Sequence, residues 1–467
     1  MLTLFSGRGA RDCTGGSRRD FIRAGSLALG GLTLPWLLKA RALAADANPE
    51  FVKDKAVIVV FLGGGASHIE TFNPNMDGPE QARSLTGEVQ TTLPGVTFGG
   101  TFPELAKHAH HMALVRSFRH AVGAHEQAIS HVLTGGTDPT GQAQLGFSMG
   151  AAYARLRGPN HPASGLPTYA LLAAPHKDGQ YSKELQRVTV GSRAGTLGAA
   201  CAPFAPGGGG IALANMTLNM PADRLTDRRN LLRKLDDLKR GIDERDADAA
   251  YDQFDAQAME LLSGGAGKAF DLSREDKKVV ERYDTSSFKC GHKVLEPSIL
   301  GKQMLMARRL IEAGAGFVTV QSAGWDMHAD GNNPGVAKGM EMLGRPLDRA
   351  LSAFIEDAGQ RGLLDKVLVI VTGDFGRTPK VNSKGGRDHW PNLGTLAFIG
   401  GGLKMGQVIG RSARDNSVPA GDPITPPNLL ATVLHHLFDI NTLRVARGLP
   451  ASLLKLVEDG KPIAPLF

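Results

Sequence analysis

"KAVIVVFLGGGASH", residues 55–68, sets an unbroken apolar run against three glycines. The run has no polar stripe to turn towards water and is too short for a typical helix. It reads as a strand buried on both faces that breaks into a glycine turn. Outward from it, "FPELAKHAHHMALVRSF" (102–118) reads as a short helix returning to a second strand. "AHEQAISHVLTGG" (124–136) reads as a helix closed by Gly135 and Gly136, and "LPTYALLAA" (166–174) as a further strand. An order of βαβα implies a parallel sheet with helices on its faces.

The rest of the chain extends that pattern. "GKQMLMARRLIEAGAG" (301–316) is helical in period and feeds the strand "FVTVQSA". "PLDRALSAFIEDAGQRGLLDK" (346–366) is an amphipathic helix leading into "VLVIVTGDFG" (367–376), a buried strand. "LGTLAFIGGG" (393–402) is another strand, and "PPNLLATVLHHLFDI" (426–440) a closing helix. Between them, residues 221–262 are highly charged and helical in period, so about 215–300 is expected to be a helical insertion. The expectation is an α/β domain over 46–467, with a mostly parallel central sheet flanked by helices.

Of 467 residues, 42% are hydrophobic and 21% charged, which is ordinary for a globular protein, and the net charge is +7. Residues 1–45 carry seven Arg or Lys against Asp12 and Asp20, so five of those seven net charges lie there. The remainder is close to neutral, which removes the main support for a nucleic-acid partner. The basic start, "SRRDFIRAGSLALGGLTLPWLLKARALAA", has paired Arg18 and Arg19, a moderately apolar stretch and a small-residue cleavage site at Ala42-Leu43-Ala44. That order reads as a twin-arginine signal peptide. It implies the twin-arginine export machinery as a partner and a periplasmic or secreted destination. No later segment is long and apolar enough for an integral membrane span in the mature chain. Cys13 would leave with the leader; Cys201 and Cys290 allow one disulfide.

Four polar clusters follow strands or sit in nearby loops. "GGGASHIETFN" holds His68 and Glu70, and "GWDMHAD" holds Asp326, His328 and Asp330. "GDFGRTPK" holds Asp374, Arg377 and Lys380, and "GGRDHWPN" holds Asp388 and His389. Carboxylates and imidazoles converging from different strand ends suit a divalent metal, Zn²⁺, Mn²⁺ or Ca²⁺. Each residue also has a plainer reading. Glu70 can cap a helix, His125 can pack on one, and Arg377 can pair with Asp388.

The ordered set "VFLGGGASHIETFNP", "HEQAISHVLTGG", "GWDMH", "VLVIVTGDFGRTPK", "GGRDHWP" and "LLATVLHHL" resembles an uncharacterised bacterial family of exported, sulfatase-like proteins in the alkaline phosphatase superfamily. The resemblance implies a metal site at the carboxyl ends of the sheet, with one or two divalent ions. By position it implies Glu70, Asp326, His328, Asp374 and His389 as ligands. It also implies a phosphate or sulfate ester, or a sulfated glycan, as the anionic partner. Catalytic relatives use a Ser, Thr or modified Cys nucleophile, whereas "GAHEQAIS" (123–130) offers His125 and Glu126 at that place. Phe375 stands where those relatives commonly have His. The expected mechanism is therefore a metal-activated water, with His125 as acid or base and Arg377 clamping the anion. The alternative is a non-catalytic binding or structural protein on the same fold.

Overall fold

The computed structural model describes residues 49–138, 146–173, 176–206 and 267–467. The leader and residues 207–266, which hold much of the expected insertion, lie outside the described residues. Everything below belongs to one compact unit of the chain, 50–219 with 250–467.

Seven strands form the central sheet: β1 (Ala56–Leu62), β2 (Met112–Val115), β3 (Tyr169–Leu172), β4 (Phe317–Ser322), β5 (Val367–Gly373), β6 (Leu396–Gly400) and β7 (Gln407–Ile409). Their order across the sheet is β7-β2-β6-β5-β1-β4-β3. All run parallel except β6, which is antiparallel to both β5 and β2. The expected mostly parallel sheet is what forms.

The apolar runs work because both faces are covered. Ile58, Val60 and Leu62 of β1 enter one core, and Val57, Val59 and Phe61 the other. The first core is closed by α4 (Leu300–Glu312) and α5 (Val336–Gln360). The second is closed by α1 (His125–Leu133), α2 (Met149–Arg157), α3 (Gly179–Gly191) and α6 (Pro426–Leu437). Among the described residues no helix is long and apolar enough to cross a membrane.

Two expectations are corrected. Helix α5 begins ten residues before Pro346, which looked like its first turn, because Val336, Met340 and Leu343 continue its buried face. Proline leaves the carbonyl four residues back without a helical donor. That carbonyl, of Met342, receives the Cys290 thiol at 3.1 Å instead. Cys290 and Cys201 are both free thiols, so the possible disulfide does not form. Within the expected insertion, the described part 267–299 has only short helical turns and a two-residue antiparallel pair, Lys289–Cys290 with Glu296–Pro297. Asp284 closes a turn there by accepting from Ser286 N. Arg308 of α4 is 2% exposed and pairs with Asp357 of α5 at 3.0 Å, and Tyr283 donates to the same carboxylate.

Helix α6 seats a neutral histidine against the sheet. His436 Nε2 donates to the Ala56 carbonyl at 3.2 Å, and burial pushes the ring down to about 4. An unfolded histidine titrates near 6.5, so between 6.5 and 4 the unfolded chain holds more protons and acid favours unfolding. Urea unfolding at pH 7 and pH 5 should show wild type losing about 2 kcal/mol more than His436→Gln. Equal losses would contradict this account of the ring.

Candidate metal centre

Strands β1, β4 and β5 end level, since Leu62 is in register with both Ser322 and Gly373. The chain then has to turn three times in one place. Gly64 (φ 106°) and Gly65 (φ 84°) make the first turn. A Cβ on Gly64 would stand 2.6 Å from Asp326 N, and one on Gly65 2.8 Å from the Phe375 ring. Only glycine lets the loops after β4 and β5 close over β1. Asp374, the residue after β5, is fully buried and accepts from Gly64 N at 3.1 Å. His120 donates to its backbone carbonyl.

These turns bring three imidazoles around one carboxylate. His125, the first residue of α1, points Nδ1 at Asp374 Oδ2, 2.5 Å away. His389 points Nδ1 at the Gly123 carbonyl, 3.0 Å away. His328 points Nδ1 at Asp388 Oδ1, also 3.0 Å away. Each partner is an acceptor, so each Nδ1 donates and each Nε2 is left facing inward. All three Nε2 atoms face Asp326, at 3.5 Å from His125, 2.9 Å from His328 and 3.5 Å from His389. Phe375 packs on the rings of His125 and His389 at 4.8 and 4.4 Å between centroids, fixing their planes.

This donor set fits a divalent cation. The Nε2 atoms of His125 and His389 are buried and have no hydrogen-bond partner, an arrangement costly to leave unmet. Ligand atoms of His125, Asp326 and His389 all lie within 4.8 Å of one another. Around a tetrahedral ion with bonds of about 2.0–2.1 Å, ligand atoms stand about 3.3 Å apart; here His125 Nε2 lies 3.5 Å from Asp326 Oδ2, and His389 Nε2 3.5 Å from Oδ1. His328 is less available, because Arg377 Nη1 reaches its Nε2 at 3.2 Å.

With no ion considered, the charges lean on one another. Burial opposes a charged His125, but the nearby Asp326 carboxylate and the bond to Asp374 outweigh that and hold it up to about 9. Burial likewise works against the Asp326 carboxylate; the imidazoles of His125, His328 and His389 that face it, with the Arg377 charge, hold it far below the usual carboxylate range. A cation would take the place of the proton on His125.

Three expected site residues have other work, among them Asp374, expected as a ligand, whose oxygens accept from His125 Nδ1 and Gly64 N. Glu70 lies apart from this group: its fully buried carboxylate accepts from Arg387 Nε at 3.0 Å, Ser84 Oγ at 2.6 Å and Leu85 N at 3.0 Å. Those donors occupy the oxygens that were expected to ligate metal. Arg377, expected as an anion clamp, is 1% exposed and gives its donors to Gly65 O, Gly64 O, Arg387 O and Asp326. It holds Asp326, at 2.5 Å, rather than a ligand. Asp330 caps its own turn, accepting from Asn332 N and Asn333 N. Asp326, His328, Asp374 and His389 are brought together, with His125 among them. Sequence reading missed that Asp374, Asp388 and Gly123 O act from behind the rings. The bond between His125 and Asp374 spans 249 residues, and no local spacing reports it.

Residues 54–467 match the family described as a protein of unknown function, DUF1501, and the chain belongs to that family. A search of curated proteins finds no match. Among solved structures, the lipoteichoic acid synthase LtaP from Listeria monocytogenes shares 10% identity over 90% of this chain and 80% of its own, with a TM-score of 0.40. The PsFucS1 sulfatase from Pseudoalteromonas sp. shares 13% over 82% and 68%, at 0.37. The alkaline phosphatase from the Antarctic bacterium TAB5 shares 11% over 88% and 99%, at 0.33. Likeness at this level says nothing of what this chain acts on.

Removing the guanidinium from Glu70 would strand a buried charge. Arg387→Met should therefore cost about 3–5 kcal/mol in urea unfolding, while the folded fraction still takes up Zn²⁺ one to one. Unchanged stability would contradict this role for Glu70.

Proposed function

We propose that this chain is an exported, cation-dependent hydrolase of phosphate or sulfate esters. One observation carries the reading: two buried imidazole nitrogens without partners, each 3.5 Å from Asp326, on rings whose other nitrogens are tied outward. His125, Asp326 and His389 would hold one divalent ion. Asp374 and the Gly123 carbonyl set the tautomers, and Arg377 fixes Asp326. A bound ion would supply Lewis-acid polarisation of an ester oxygen and make a water more acidic.

His125 would be held between Asp374 and the bound ion, so the acid–base role first expected of it passes to His328, which is outside the proposed ligand set and whose partner Asp388 is exposed. That ring lies between Asp326 and Asp388 with 20% of its side chain exposed. Burial works against its charged form, but the bond to Asp326 prevails and raises its titration point above the ordinary value. It is placed to give or take a proton at the mouth of the centre. Ser130, in the region where relatives carry a nucleophile, is fully buried within α1 and is not part of this chemistry. Export rests on Arg18 and Arg19, and cell fractionation of an R18K, R19K variant checks it by retention in the cytoplasm.

A second reading, binding without turnover, is favoured by Phe375. It is 1% exposed and covers one side of the rings, and Arg377 is not free for an anion.

Metal content of the purified mature protein, measured beside Asp326→Ala, tests the centre. One Zn²⁺ or Mn²⁺ per chain is expected, with at least a tenfold loss of affinity in the variant. Aryl phosphate, phosphonate and sulfate esters then test turnover. His328→Ala should lower kcat about 10²–10⁴-fold while leaving metal content intact. Metal without turnover of any ester would leave the binding reading; no metal would end both.

A further inference from the structure

Behind the centre lies an acid that the proposed chemistry does not use. Glu184 projects from α3 and is 3% exposed. Its Oε2 accepts from Gly324 N at 2.7 Å, and a Cβ on Gly63 would lie 3.5 Å from the same oxygen. It is therefore wedged between the turn after β1 and the loop that carries Asp326. A glutamine would accept the same N–H without placing an ionisable group in a dry interior. The acid thus has a consequence beyond anchoring Gly324.

Four ionisable groups act on it or lie on its own helix, and the loop it holds through Gly324 N carries one of them. These are Asp326 after β4, Asp374 after β5, His125 at the start of α1, and Tyr181 one turn earlier on α3. The Tyr181 hydroxyl is itself buried without a hydrogen-bond partner. Burial first, then the charges of Asp374 and Asp326, push Glu184 up to about 8, against the opposing Gly324 bond and His125 charge. With no ion considered, it holds its proton at neutral pH. A divalent ion taking the place of the His125 proton would add one net positive charge among His125, Asp326 and His389, and so oppose that field.

We propose that Glu184 couples protonation to cation occupancy: it is a carboxylic acid while the centre holds no divalent ion, and a carboxylate, its proton released to solvent, when an ion is bound. This rests on the reading of His125, Asp326 and His389 as a cation centre. The expected result is that binding releases a proton from Glu184 in addition to the one that leaves His125, so cation affinity climbs more steeply with pH than the ligands alone dictate.

Zn²⁺ titration by calorimetry at pH 7, in buffers of different ionisation enthalpy, counts those protons. Wild type should release about one proton more per ion than Glu184→Gln, which keeps the acceptor for Gly324 N. An equal count with binding intact overturns the proposal and leaves the centre standing. Infrared difference spectra of wild type provide a measurement without a variant: added Zn²⁺ should remove a protonated-carboxyl C=O band. Zn²⁺ binding without that loss overturns the proposal. Failure of wild type to bind Zn²⁺ overturns both it and the centre.

Discussion

Asp326 faces three imidazoles and accepts Arg377 at 2.5 Å, at the point where the loops after β1, β4 and β5 cross. A carboxylate drawn this far from water needs compensating charge, and Arg377 supplies it together with the imidazoles that face it. Arg377 is locked by the carbonyls of Gly64, Gly65 and Arg387, so it cannot follow Asp326 if Asp326 moves. The position of Asp326 in turn decides where the inward nitrogens converge. The glycine turn after β1 is what allows that crossing, because a side chain at Gly64 would collide with the Asp326 backbone.

The arrangement favours a single ion over a pair. Among the described residues, one group of His, Cys, Asp and Glu is close enough to hold a metal. Asp374 is spent on His125 and Gly64, and Glu70 on Arg387. Phe375 fills the space beside the rings with an apolar wall. Chemistry in this family member would have to run through one cation and its neighbouring histidine.

Much of the sheet was legible because β1 and β5 are apolar on both faces, so length and turn signals were enough to find them. The reversed direction of β6 was not legible, since nothing in "LGTLAFIGGG" depends on which way its neighbours run. Helix α3 went unread: its buried residues include Glu184, which blurs the apolar stripe that marks a core-facing helix. Pro346 misled for the opposite reason, by imitating a helix start inside a longer helix. For the centre, strand ends pointed to Asp326, His328, Asp374 and His389. Glu70 also follows a strand end, but its carboxylate is taken by Arg387 instead. Its partner Arg387 is 317 residues away, and a buried ion pair at that separation leaves no local trace.

The central claim, that two histidines and one aspartate of this chain form a cation centre, is open to direct view. Crystals of the mature protein grown with Zn²⁺, with data collected on either side of the zinc absorption edge, would locate the ion. The account predicts one anomalous peak bonded to His125 Nε2, His389 Nε2 and an Asp326 oxygen, with both Nδ1 atoms still donating to Asp374 and Gly123. A peak bonded to Glu70, or ordered side chains there with no peak at all, would contradict it.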